Sequence, residues 1–110
     1  MIDTIRERDA FVRLRREGSR YRIEPLWCSF VPDPSLMPPQ VAFAIGRPIG
    51  SAVRRNRVRR RLRAILAEST VPAGLLLVGA SPPIVELTFD ELTTTVHRLL
   101  AQIQGTITPR

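Results

Sequence analysis

The chain has 110 residues, 44% of them hydrophobic, which suits one domain with its own apolar core. Seventeen arginines and no lysine stand against ten acidic residues, so the formal net charge is +7. The single cysteine, Cys28, excludes an intrachain disulfide and a cysteine-based zinc cluster. The positive excess predicts a polyanionic partner, with nucleic acid as the leading candidate and an anionic membrane surface as the weaker one.

The first residues of the chain are charged and lack the apolar stretch of a signal peptide. No apolar segment approaches the roughly 20 residues that span a bilayer. A lone thiol within an apolar run suits a reducing compartment. We therefore expect a cytoplasmic protein with no membrane partner.

The N-terminal part of the chain predicts an arm, a helix and a strand. Residues 1–8 are expected to form the arm, and apolar residues among arginines over 9–16 predict a short helix that Gly18 ends. Alternation over 20–31 predicts one strand. Its expected faces are Leu26, Cys28 and Phe30 on one side and Trp27, Ser29 and Val31 on the other.

The middle of the chain predicts a loop, a buried strand and a long helix. A turn-rich segment over 32–39 precedes a continuous apolar run over 41–45, which is short enough for a buried strand. The segment 46–50 breaks that strand, and Ser51 caps a helix expected over 51–69. The core-facing stripe of this helix is Val58, Leu62, Ile65 and Leu66.

The C-terminal part predicts a second buried strand, over 75–78, and a final helix. Thr88 and Glu91 form a capping box for that helix, and Gly105 is expected to end it, which leaves 105–110 as a tail. The order is helix, two strands, helix, strand, helix, with no repeat and no second domain. This order predicts a compact α+β or α/β sandwich.

Seven arginines fall within the ten residues 54–63. Val58 and Leu62 share the buried stripe, so the arginines occupy the other faces of the helix. Like charges at i,i+4 repel by about 0.2–0.5 kcal/mol per pair, and no acidic residue lies within 34–67 to relieve them. We infer that phosphates, which accept forked guanidinium hydrogen bonds, supply the compensating charge.

Two other interpretations apply to this helix. A solvated charged face is the ordinary explanation for a helix of mixed charge, but a single-sign cluster this dense favours polyanion binding. Asn56 either joins the binding surface or ties the helix start to the preceding loop by a hydrogen bond.

The arginine-rich helix carries a longer pattern. The pattern begins at Ile49. Two residues separate Ile49 from Ala52, and two more separate Ala52 from the run RNRVRRRLR over 55–63. This pattern resembles the signature helix of the bacterial ribonuclease P protein subunit family. Phe11 and Leu14 resemble the start of that family's first helix. The similarity covers nearly all of residues 5–104, through the segments 41–45, 46–50, 74–78 and 87–100.

The resemblance implies a small single-domain α+β sandwich over residues 1–110. Its central mixed sheet would have about four strands packed with three helices and a left-handed βαβ crossover, a fold shared with a ribosomal-protein domain. In that family a large RNA is the catalyst and uses bound Mg²⁺, held mainly by the RNA and the substrate, to remove the 5′ leader of precursor tRNA. The protein would be the non-catalytic part of this endoribonuclease, a monomer paired one to one with the catalytic RNA.

The same resemblance implies two sets of site residues, and no catalytic or metal-binding residue in the protein. The residues that would dock on the catalytic RNA are Arg47, Arg54, Arg55, Asn56, Arg57, Arg59, Arg60 and Arg63. The residues that would line a cleft for the single-stranded 5′ leader are Phe11, Leu14, Arg15, Trp27 and Ser29.

The chain departs from the family pattern at three places. The family usually has a second aromatic residue where Arg15 stands, a basic pair where Arg47 and Pro48 stand, and a basic residue near 79–81. Base stacking on an aromatic side chain is worth about 1–3 kcal/mol. We therefore expect weaker stacking of the leader, with the planar guanidinium of Arg15 in place of the missing ring.

Three other functions are weighed against this one. An autonomous nuclease would need clustered carboxylates or histidines, whereas His97 is the only histidine and lies beside the apolar stripe of the last helix. A DNA-binding regulator would need a helix before the arginine-rich one, where Pro48 and Gly50 stand. The signature pattern would not be required in a ribosome-associated basic protein. Nor would it be required in any other RNA- or DNA-binding protein without a ribozyme partner.

Overall fold

Five strands and three α-helices make up the computed structural model, which describes residues 1–107. In chain order they are β1 (Asp3–Thr4), α1 (Arg8–Glu17), β2 (Ser19–Ile23), β3 (Leu26–Pro32), β4 (Gln40–Ala44), α2 (Ala52–Ala67), β5 (Gly74–Ala80) and α3 (Phe89–Ile107). Two short 3₁₀ helices, Arg47–Ile49 and Pro82–Glu86, precede α2 and α3. None of the helices in this part of the chain is long and apolar enough to cross a membrane.

All five strands join one mixed sheet in the order β1-β4-β5-β3-β2. Strands β4 and β5 are parallel, which a long connection such as α2 permits, and β1 lies parallel to β4. Strand β3 runs antiparallel to β5, and β2 antiparallel to β3. The predicted α+β class, mixed sheet and three helices are confirmed, with one strand more than the four expected. The left-handed sense of the β4–α2–β5 crossover stays a prediction.

Side chains of β3 alternate between two apolar layers. Leu26, Cys28 and Phe30 are at most 1% exposed and pack with α2 and α3 in the main core. Val31 points the other way, into a smaller cluster with Leu14 of α1. The two predicted faces of this strand are thus confirmed. Helix α1 covers one face of the sheet, and α2 and α3 cover the other.

The single strand predicted over 20–31 is wrong, because the segment forms two strands. Strands β2 and β3 make a hairpin whose turn contains Glu24 and Pro25. Proline has no amide hydrogen for a sheet ladder, so the chain turns at this point instead of continuing. The hairpin pairs Arg20 of β2 with Ser29 of β3, which an unbroken strand would have kept far apart.

Residues 1–8 do not form the predicted arm. The Asp3 amide donates to the Pro39 carbonyl at 2.8 Å, and the Ile5 amide donates to the Val41 carbonyl at 3.1 Å. Ile5 is 6% exposed and packs in the smaller apolar cluster. Burial of Ile5, together with the packing of Ile2 against the main core, holds the start of the chain on the sheet edge as β1.

The predicted start of α3 is confirmed, whereas its predicted end is wrong. The Thr88 hydroxyl accepts from the Glu91 amide at 3.1 Å and the Glu91 carboxylate accepts from the Thr88 amide at 2.8 Å, so the capping box is confirmed. Gly105 does not end α3, which continues past it. Glycine inside a helix costs only about 1 kcal/mol relative to alanine, so it does not by itself end a helix. The predicted tail therefore begins inside α3, and its residues 108–110 lie outside the described part of the chain.

A carboxylate in the loop after β3 anchors α1. Asp33 Oδ2 accepts from Arg13 Nη1 at 2.9 Å, and Asp33 Oδ1 accepts from the Ser35 hydroxyl at 2.7 Å and the Ser35 amide at 2.9 Å. The Ser35 hydroxyl and then the Arg13 guanidinium lower the pKa of Asp33 from 3.8 to about 2. Because the folded-state pKa is depressed, ionised Asp33 stabilises the fold above the unfolded-state pKa. That contribution is lost as the pH falls through the folded-state pKa.

Asp33→Asn is therefore expected to lower the thermal unfolding temperature at neutral pH. The difference from the unsubstituted chain should shrink as the pH falls from about 4 to 2, because both chains then carry a neutral group at this position. Circular dichroism melts over this pH range measure the difference. A gap that stayed constant down to the lowest pH would show that the ionised carboxylate is not what stabilises the loop.

Candidate nucleic-acid interface

Helix α2 turns its apolar stripe to the main core and its arginines outward. Ser51 caps the helix as predicted, since its hydroxyl accepts from the Arg54 amide at 3.3 Å. The four predicted core residues are all buried: Val58, Leu62, Ile65 and Leu66. The packing of this stripe fixes the rotation of the helix, and with it the direction in which each arginine points.

The arginines of α2 have no carboxylate partner within residues 1–107. The ion pairs in this part of the chain are Arg6–Asp3, Arg13–Glu17, Arg13–Asp33 and Arg22–Glu24. All of them lie outside α2. Seven guanidinium groups are therefore concentrated on one helix without local compensation, which raises the electrostatic potential at this surface.

One flank of α2 lies against the edge of the sheet. Arg59 donates through Nη1 to Asn56 Oδ1 and through Nη2 to the Ile45 carbonyl, both at 2.9 Å. Asn56 therefore helps tie the helix to the preceding loop, through Arg59. Arg63 donates to Thr4 Oγ1 at 3.3 Å, and its guanidinium lies 5.3 Å from the centre of the Phe43 ring. These contacts hold the two arginines in place while leaving other donors of each guanidinium unused.

The opposite flank of α2 carries Arg54, Arg57 and Arg61, which line a cavity beside the 3₁₀ helix Pro82–Glu86. Arg61 Nη1 donates to the Leu87 carbonyl at 3.4 Å. The RNA-docking set predicted from the signature pattern omitted Arg61. Helical spacing alone identifies it, because residues at i, i+3 and i+7 share one side of a helix.

The remaining predicted docking residues differ in exposure. Arg60 is exposed on the side of α2 away from the core, and Arg47 is exposed in the 3₁₀ helix Arg47–Ile49. Arg55 is half-buried, and its Nε is enclosed without a hydrogen-bond partner. Arg55 is therefore less available to a ligand than the prediction assumed, whereas Arg60 is exposed to one.

A second site lies on the other face of the sheet, between α1 and β3. It is a groove of about 310 Å³, and the structure brings together in it every residue predicted for the leader cleft. These are Phe11, Leu14, Arg15, Trp27 and Ser29, joined by Gly18, Arg20 and Leu77. The groove combines apolar walls with two arginines.

Some residues of the groove are buried and form its wall, whereas others are exposed to a ligand. Leu14 is 4% exposed, and its carbonyl accepts from the Ser29 hydroxyl at 3.4 Å, so these two residues form the wall. Phe11 is 40% exposed and offers an aromatic face to a ligand. The Arg20 guanidinium lies 4.7 Å from the centre of the Trp27 ring. The sequence did not predict Arg20 as a groove residue, because Arg20 reaches the groove only through the hairpin turn, and that turn was not predicted.

No group of three or more histidine, cysteine or acidic side chains that could hold a metal ion lies together within residues 1–107. His97 is exposed on α3. Hard cations such as Mg²⁺ require several oxygen ligands around one point. The described side chains therefore offer no cage of three or more ligands for such an ion.

The chain is similar to known proteins along nearly its whole length. The family described as Ribonuclease P matches residues 2–104. The ribonuclease P protein component of Acidothermus cellulolyticus is 39% identical over 97 residues, covering 86% of this chain and 78% of that protein. That of Beutenbergia cavernae is 35% identical over 102 residues, covering 90% of this chain and 86% of that protein.

Solved structures share the fold. The ribonuclease P protein of Thermotoga maritima superposes with a TM-score of 0.81 at 23% identity, covering 94% of this chain and 99% of that chain. That of Staphylococcus aureus gives a TM-score of 0.81 at 17% identity, covering 92% and 94%. These structures establish the architecture, while the family match and the two relatives establish membership. The chain belongs to the ribonuclease P family, as a protein component of the bacterial type.

Proposed function

We propose that this chain assists a catalytic RNA in removing the 5′ leader of precursor tRNA, in the cytoplasm and as one protein per RNA. The observation that carries the proposal is the set of α2 arginines without a carboxylate partner in residues 1–107. Guanidinium groups bind phosphate oxygens through charge-assisted hydrogen bonds and release counterions condensed on RNA. Helix α2 is then the surface that docks on the catalytic RNA.

The groove between α1 and β3 suits the single-stranded leader. An exposed Phe11 ring and the Arg20–Trp27 stack offer flat surfaces to unpaired bases. Arg15 and Arg20 at the same groove supply positive charge for the leader phosphates. Because α2 and the groove lie on opposite faces of the sheet, one small domain contacts the catalytic RNA and the leader at the same time.

The hydrolytic chemistry is assigned to the RNA. Mg²⁺, if held by RNA phosphates and the substrate, would supply Lewis-acid stabilisation of the charge that develops at the scissile phosphate. The protein contributes positive charge and position. It neutralises backbone phosphates through α2 and holds the leader in the groove, both of which lower the Mg²⁺ concentration that the RNA needs.

The direct test adds the purified chain to a bacterial ribonuclease P RNA and follows 5′ leader removal from a precursor tRNA at low Mg²⁺. The proposal expects faster leader removal with the chain than without it, and no cleavage by the chain alone. Cleavage by the RNA-free chain would instead indicate an intrinsic nuclease. Tighter binding to duplex DNA than to the structured RNA at matched salt would favour a DNA-binding function.

Binding of the chain to that RNA is expected to weaken steeply with salt. Each phosphate neutralised adds about −0.7 to −0.9 to the slope of log K against log salt concentration. Four to seven engaged arginines therefore predict a slope of roughly −3 to −6. Filter binding across a salt series measures the slope. A flat profile would contradict docking through arginine–phosphate contacts.

A further inference from the structure

The cavity on the second flank of α2 has a chemistry of its own. It lies between α2, the 3₁₀ helix Pro82–Glu86 and the start of α3, and has a volume of about 250 Å³. This is slightly below the roughly 300–1,000 Å³ of typical small-molecule sites. Its lining residues are Arg54, Arg57, Val58, Arg61, Ile84, Val85 and Leu92.

Cationic and aliphatic side chains occupy different parts of this cavity. Val58, Ile84 and Leu92 are 2–6% exposed, so they form a floor that continues into the main core. Val85 is 40% exposed and stands at the rim. The arginines form the wall on the α2 side. A ligand that suits both parts combines an apolar portion with negative charge.

The arginines of the cavity wall can bind an anion, because they have no carboxylate partner in residues 1–107. Arg61 Nη1 donates to the Leu87 carbonyl at 3.4 Å, which restrains one guanidinium. None of the carboxylates in residues 1–107, including the adjacent Glu86, forms an ion pair with these arginines. The positive charge of the cavity is therefore available to an external anion.

We propose that this cavity takes one unstacked nucleotide of the catalytic RNA, with its base on the aliphatic floor and its phosphate between the arginines. The assignment rests on the proposed function, because the cavity opens on the same helix that docks on the RNA. Sequence-specific RNA recognition often uses loop or bulge bases that are splayed out of the helix. A lone nucleotide supplies both the apolar face and the charge that the cavity requires, and it suits the small volume.

Cross-linking from the rim tests the assignment. The Val85→Cys variant carries one reactive thiol, because native Cys28 is 0% exposed and burial raises its pKa to about 12. A photoreactive aryl azide on that thiol is expected to cross-link one or two neighbouring unpaired nucleotides of a bacterial ribonuclease P RNA. Cross-links confined to base-paired segments, or scattered over the RNA, would overturn the assignment.

Charge at the rim provides a second readout. Val85→Glu is expected to lower affinity for the RNA by about tenfold, since it pairs with the wall arginines and repels the phosphate. Met37→Glu makes the same charge change at a side chain that is 70% exposed in the loop before β4, and should change affinity less than about twofold. Circular dichroism checks that both variants remain folded. Equal losses in the two variants would overturn the assignment.

Removing the base at the cross-linked position completes the test. The abasic RNA should bind the unsubstituted chain about tenfold more weakly, and Val85→Glu should then cause a smaller further loss than it does with intact RNA, because a nucleotide without its base no longer holds its phosphate in the cavity. If the losses of affinity from the two changes were additive, the base would lie outside the cavity. If the unsubstituted chain bound the RNA with the expected salt slope but failed these tests, only the cavity assignment would fall. If it did not bind at all, the proposed function would fall first.

Discussion

Arg60→Glu is expected to lower the affinity of the chain for a bacterial ribonuclease P RNA by roughly 100-fold at about 0.1 M salt. Arg60 is exposed on α2, away from the buried Val58 and Leu62. The substitution removes a charge-assisted hydrogen bond, worth about 1.5–3 kcal/mol, and adds repulsion between the carboxylate and phosphate. Filter binding at fixed salt measures the loss.

Two further variants separate local contact from net charge. Arg60→Ala removes the contact without adding repulsion, and should weaken binding by about 1–2 kcal/mol. Arg98→Glu makes the same charge reversal on an exposed residue of α3, and screening should limit its effect to about threefold. A loss as large for Arg98→Glu as for Arg60→Glu would mean that α2 has no special role.

Gly79→Ala is expected to damage leader binding while sparing RNA docking. Gly79 pairs with Trp27 across β5 and β3, and a Cβ at this position would overlap the Trp27 ring. The ring must then move, which disturbs its stack with Arg20. Overpacking of this kind costs about 1–3 kcal/mol of stability, and the lost stacking predicts about tenfold weaker binding of the leader.

The measurement compares the holoenzyme's affinity for precursor tRNA with its affinity for mature tRNA, because only the precursor carries the leader. Gly105→Ala is the matched control. Within residues 1–107, no atom beyond its neighbours and the backbone of its own helix lies within 4 Å of a Cβ built there, in the last turn of α3. Alanine at that position should raise stability by about 0.5–1 kcal/mol. Should Gly79→Ala weaken affinity for the catalytic RNA as much as for the leader, the substitution disrupts the whole fold and not the groove.

The placement of the two candidate surfaces bears on how these variants should behave together. Helix α2 packs on the main core with β3 residues such as Phe30, whereas the groove lies on the α1 side of the same sheet. The sheet separates them, and they share no side chain among the residues that line them. Arg60→Glu should therefore lower affinity for the catalytic RNA by the same factor with and without Gly79→Ala.

Local patterns in the sequence determined the elements whose stabilising contacts lie within about one helical turn. The apolar stripe through Val58 and Leu62, the Ser51 cap and the Thr88–Glu91 capping box all appear in the structure as predicted. Each depends on residues three or four positions apart, so the order of the chain is enough to specify them. The concentration of arginines on one helix follows in the same way.

Only the tertiary structure decided which distant residues meet. The hairpin turn at Pro25 places Arg20 over Trp27, and burial of Ile5 adds β1 to the sheet. The cavity likewise joins Arg61 of α2 to Val85, which lies far along the chain. Strand pairing and cavity shape depend on how the whole chain buries its apolar surface, and local preference does not specify the partners.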